Sequence, residues 1–167
     1  MNQSTDNSKC FEVRLVSYKV VGWLGIVFGT LCSVGAFLAR QYGPIWVFGF
    51  FIGLGIYTIL GAGRFVFDQE GVTHQTVLRM YRIHWNEVKR VEIGAADGTV
   101  VLHGGNKRFV LAPPSAWSGP QKFDAYSFFS KKVHDSGIVP YTSRIAAYKI
   151  HKNVRVDANS ASAHEPA

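Results

Sequence analysis

The sequence predicts an α+β membrane protein: a two-helix transmembrane hairpin followed by a small antiparallel sheet module capped by a C-terminal helix. Three observations predict it. Two runs, Val20 to Ala39 and Ile45 to Gly63, are apolar and free of charge, and only Arg40, Gln41, Tyr42, Gly43 and Pro44 separate them. From Arg64 the apolar period changes from helical to two, with glycine-rich turns between short runs. A last apolar stripe, Phe123, Tyr126, Phe129 and Val133, returns to helical spacing.

Each apolar run is about twenty residues long, which at about 1.5 Å per residue spans a hydrocarbon core of about 30 Å. The short connection makes the two helices antiparallel. Residues 1–17 read as a cytoplasmic leader, 18–63 as the helical hairpin, 64–140 as the soluble domain and 141–167 as a basic and then disordered tail. Lys9, Arg14 and Lys19 precede the first run, and Arg64, Arg79, Arg82, Lys89 and Arg90 follow the second, whereas the connection holds only Arg40. By the positive-inside rule both termini and the domain lie on the cytoplasmic side of an inner (plasma) membrane. Cys10 and Cys32 fall in the leader and in the first run, so they form no disulfide framework.

Within the hairpin, Gly25 and Gly29 lie four apart, as do Gly49 and Gly53. Small residues at that spacing leave a flat groove through which helix backbones approach in lipid, so these four are the expected helix-packing residues. Neither run holds a charged residue, so an ion pathway has no candidate.

The domain begins with a strand over Arg64 to Asp68 and a turn over Gln69 to Gly71. A second strand covers Val72 to Val77, and a third covers Leu78 to Trp85 with Tyr81, Ile83 and Trp85 on one face. Val88 to Ile93 alternates less cleanly. Asp97-Gly98 predicts a type I′ turn, and Gly104-Gly105-Asn106 predicts another hairpin between Thr99–His103 and Lys107–Ala112. Ser118 to Gln121 has the form of a capping box for the final helix, and Gly137 with Pro140 ends it.

The stretch Arg64-Phe-Val-Phe-Asp-Gln-Glu-Gly-Val-Thr73 resembles the opening strand and turn of bacterial pleckstrin-homology-like (PH-like) domains. Tyr81-Arg-Ile-His-Trp-Asn-Glu-Val-Lys-Arg-Val-Glu-Ile93 is similar to their middle signature. The resemblance covers residues 64 to 137 and implies a split barrel capped by a helix, without enzymatic activity, that binds proteins or membrane surfaces. The acidic turn Asp68-Gln69-Glu70-Gly71 stands where phosphoinositide-binding members carry lysine and arginine, and it would repel an inositol phosphate.

The chain lacks a G-x-S-x-G elbow, a phosphate-cradling G-x-x-x-x-G-K-[ST] loop and paired carboxylates, so no enzyme and no cofactor are expected. His74, His84 and His103 match no ligand spacing, and Arg82 shares a strand face with His84, so no metal is expected. From Arg64 to Asp157 there are 14 basic and 8 acidic residues, a net of +6. Nucleic acid is not an expected partner, because no recognition motif accompanies that charge. The densest basic cluster, Arg79, Arg82, His84, Lys89 and Arg90, is the expected binding surface. Its expected partner is a protein, with anionic lipid as the alternative. Arg144 to Lys152 reads either as a basic amphipathic helix on the bilayer or as a solvated tail.

Overall fold

The computed structural model describes residues 10–156, so the disorder expected from Ala158 onward lies outside the described residues. The first element is a strand, β1 (Phe11–Arg14), within the expected leader. Two helices follow, α1 (Val16–Leu38) and α2 (Gly43–Gly61), each long and apolar enough to cross a membrane. Pro44 lies in the first turn of α2, where its missing N–H costs nothing. Of their most apolar windows, only 11% and 6% of residues are buried within the chain. Thr30 and Thr58 donate their hydroxyls to the carbonyls of Ile26 and Leu54, which satisfies both within their own helices.

Glycine lets the helices approach, but not at all the expected positions. A Cβ on Gly29 would lie 2.8 Å from Ile52 Cγ1 and 3.0 Å from the Phe48 carbonyl, and Gly25 faces Phe51 and Gly55 across the same contact. On α2 the close approach is at Gly55, where a Cβ would lie 2.9 Å from Ile26 Cγ1, and Gly22 is its counterpart on α1. Gly49 and Gly53 meet nothing within 4 Å. The spacing of four holds on α1, whereas the glycine pair on α2 is turned away from the helix partner.

After α2 come β2 (Arg64–Phe67), β3 (Gly71–Gln75), β4 (Met80–His84), β5 (Arg90–Gly94), β6 (Val100–Gly104) and β7 (Lys107–Leu111). The helix α3 (Lys122–Asp135) and the strands β8 (Tyr141–Ser143) and β9 (Arg155–Val156) complete the domain. One sheet has the order β1-β2-β3-β4-β9 and the other β7-β6-β5-β8. This corrects the expected antiparallel barrel. β8 runs parallel to β5, and β9 and β8 occupy the edges of β4 and β5, so the two sheets do not close on each other.

The described parts of the expected leader and tail, residues 10–17 and 141–156, are structural parts of the domain. β1 pairs antiparallel with β2, Val13 opposite Phe65 and Arg14 opposite Arg64, and the Leu15 N–H donates to the Gly63 carbonyl at 3.3 Å. The helical hairpin is thus inserted into the connection between two paired strands. Arg144 to Lys152 is neither an amphipathic helix on the bilayer nor a solvated tail: it holds only the 3₁₀ turn Ala146–Tyr148, Ala146 and Val154 are buried, Lys152 bridges Arg108 of β7, and β9 pairs with β4.

The third strand is shorter than the period implied. Thr76 to Arg79 form a tight turn closed by the Thr76 N–H to the Arg79 carbonyl, leaving Val77 and Leu78 70% and 68% exposed. In the Asp97-Gly98 turn only Gly98 has positive φ, at 75°, so the expected type I′ geometry gives way to a longer loop closed by Gly94 N–H to Thr99. The Ser118 capping box is also absent: Ser118 exchanges backbone bonds with Arg14, and the Gln121 side chain accepts from the Glu12 N–H.

The core joins Phe65, Phe67, Val72, Ile83, Leu102, Phe109 and Trp117 to α3. The buried stripe of α3 is Ala125, Phe129 and Val133, with Phe128 partly covered. Phe123 and Tyr126 are 72% and 49% exposed, which corrects the expectation that both are spent in the core. A stripe drawn through the small Ala125 is rotated away from one drawn through the largest side chains.

Candidate functional site

β4 and β7 are edge strands until the segment after β8 covers them, and that covering builds two polar clusters. Glu92 of β5 is fully buried on the sheet face opposite Val91. Its carboxylate accepts from Tyr141 Oη at 2.8 Å and from Lys149 Nζ at 2.7 and 2.5 Å, and it lies 2.8 Å from His103 Nε2. Burial alone pushes this carboxyl up, but Lys149, Tyr141, His103 and Ser143 outweigh it and hold it down at about 2. Val91 and Glu92 are thus buried on opposite faces of β5, although the strand alternates polar and apolar residues from Arg90 to Ile93.

The second cluster is aromatic and neutral. His74 of β3 stacks on Phe65 at 4.3 Å, and His151 stacks on Tyr81 at 4.2 Å. His74 Nδ1 and His151 Nε2 lie 3.2 Å apart. Burial lowers His74 to about 4, and burial together with His74 lowers His151 to about 3. Both rings are neutral at pH 7, and their tautomers follow from one backbone bond. The Val110 N–H donates to His151 Nδ1 at 3.2 Å, so the His151 proton sits on Nε2 and is donated to His74 Nδ1. The His74 proton then sits on Nε2, a buried atom without a partner.

The end of the domain that carries the helices is marked by the row Arg14, Arg64, Gln75 and Met80, and the opposite end by Gly71 and His84. A cavity of about 630 Å³ lies at the helix end. Tyr18, Tyr57 and Thr58 line it from α1 and α2, and His74, Tyr81, Arg79, Lys149 and His151 line it from the domain.

The expected binding residues are not one patch. Arg79 lies at the helix end and lines this cavity. His84 is five residues along the strand, about 16 Å away at about 3.3 Å per residue, at the far end. Lys89 and Arg90 are exposed at the start of β5 in the other sheet, with Arg90 5.2 Å over the Tyr141 ring. Arg82 is taken up by the acidic turn, 2.8 Å from Glu70 and 3.4 Å from Asp68. The three histidines read together from sequence are also separate: His74 meets His151, His103 meets Glu92, and the exposed His84 starts the 3₁₀ turn Trp85–Glu87. Among the described residues no group of three or more His, Cys, Asp or Glu could hold a metal ion.

Sequence reading passed over Glu92, Lys149 and His151, because Lys149 lies 57 residues from Glu92 and His151 lies 41 residues from Val110. No protein-family model, curated protein or solved structure matches the chain.

Proposed function

We propose that this chain is a non-enzymatic membrane protein whose helical hairpin spans the bilayer and whose domain, facing the cytoplasm, is a docking module for a protein partner. One observation carries the reading: the hairpin is inserted between paired strands, so α1 and α2 enter the domain side by side. Tied at both strands, the domain turns one end toward the membrane and the other away from it. His84, Lys89 and Arg90 lie at the outward end, basic and exposed, and suit an acidic protein surface. The PH-like relationship belongs to this reading, supported by two sheets with one helix, α3, lying on β1 and β2, although β8 and β9 follow that helix.

A second reading has its own observation. The turn that exposes Val77 and Leu78 extends from the helix end beside Arg79, an apolar tip next to a cation, which suits an anionic bilayer surface. Photo-crosslinking in membranes tests the two together. A benzophenone amino acid at position 89 is expected to give protein adducts that Arg90→Glu removes, and one at position 78 is expected to give lipid adducts. Lipid adducts at 89, or none at 78, would overturn the orientation.

A further inference from the structure

His74 is 8% exposed, and its Nε2–H, fixed as a donor by the chain from Val110 through His151, has nothing to donate to. Burying a donor without an acceptor is costly, so a ligand oxygen that reached it would gain a hydrogen bond the fold leaves unmade. The same ring lines the cavity between the helix ends and the sheets. At about 630 Å³ this cavity lies within the roughly 300–1,000 Å³ of small-molecule sites.

Its walls say what would fit. Phe65, Leu111, Ala112 and Ile150 are apolar, and Tyr18 and Tyr57 bring a hydroxyl from each helix. Arg79 has no carboxylate partner among the described residues. The other charges are already met: Lys149 holds Glu92, and both oxygens of Asp97 accept from Thr99. The free groups are thus one buried neutral donor on a residue that lines the cavity and one cation. That set asks for an amphiphile with a buried acceptor oxygen and an anionic head.

We propose that the cavity is a binding site for one glycerophospholipid drawn from the surrounding bilayer, an ester carbonyl or phosphate oxygen accepting from His74 Nε2 and the phosphate facing Arg79. The proposal rests on the hairpin lying in a membrane, because the helix ends then open the cavity at headgroup depth.

The test uses the full chain in maltoside detergent with dihexanoyl phosphatidylglycerol added below its critical micelle concentration. Saturable binding at one lipid per chain is expected, together with a shift of the ¹⁵N resonance of His74 Nε2. His74→Phe keeps the stacked ring, removes the donor and is expected to weaken binding at least tenfold. Should that variant fail to fold, Arg79→Gln, at the end of an exposed turn, is expected to weaken binding severalfold. Glycerol 3-phosphate and inorganic phosphate separate the sources: either one binding as tightly as the lipid would make this a phosphate site rather than a lipid site. No saturable binding, or an unmoved His74 resonance, overturns the proposal. A hairpin that spans the membrane without such binding removes this inference alone, whereas a hairpin outside the bilayer removes the functional reading as well.

Discussion

Val13 lies opposite Phe65 in an antiparallel pair, although both helices of the hairpin separate them in the chain. Both are buried in the core, so the strand before the helices is as much part of the domain as the strand after them. A fragment starting at Arg64 would expose the β2 edge and lose Val13 and Leu15 from the core, at about 1.5–3 kcal/mol each. Replacing residues 16–62 by a two-residue Asn-Gly turn should instead yield a soluble, folded domain, since Leu15 and Gly63 already bond. Circular dichroism and amide dispersion of the two versions check this, and a folded 64–156 fragment would sink the inserted-hairpin account.

The helix contact makes an asymmetric prediction about glycine. Gly29→Leu and Gly55→Leu should each lower the melting temperature in detergent by several degrees, because their Cβ positions lie within 3 Å of the opposite helix. Gly49→Leu and Gly53→Leu should be tolerated. Equal sensitivity at all four positions would mean that the two faces of α2 are not distinguished in this way.

Lys149 offsets a carboxylate with no exposed surface, so Lys149→Met should destabilise the domain by about 3–5 kcal/mol. Glu92→Gln with Lys149→Met should recover part of that loss, as a double-mutant cycle in denaturant can show. The Glu92 carboxyl is held below its ordinary value, so its contribution is complete above about pH 4.5 and disappears as pH falls toward 2. Glu92→Gln should therefore remove the steepest loss of stability in that window.

The histidine pair acts in a different window. Both rings stay neutral in the folded state down to about pH 4 and 3, whereas in the unfolded chain they bind protons below about pH 6.5. The unfolded state then holds more protons, so stability falls as pH drops from about 6.5 toward 4. His151→Phe should flatten that slope in a pH series of thermal melts, and an unchanged slope would show that the pair is not buried and neutral.

The sequence by itself determined whatever depends on neighbours in the chain. The two helices, their short connection, most strand positions and the end of α3 at Gly137 all follow from periodicity, charge and turn residues. Tertiary structure decided the rest. The motif of four-spaced glycines shows that a groove exists but not which way a helix is rotated, so Gly25 and Gly29 meet α2 while Gly49 and Gly53 do not. The stripe on α3 turned on Ala125, which is small enough to be overlooked beside Phe123. Pairings of Val13 with Phe65, Glu92 with Lys149 and His74 with His151 leave no local pattern, because each joins segments that meet only when the sheets assemble. For the same reason a basic run that looks continuous from Arg79 to Arg90 is divided in space: the chain runs the length of β4 and turns into the other sheet between those residues, so charge is shared out by strand direction rather than by sequence distance.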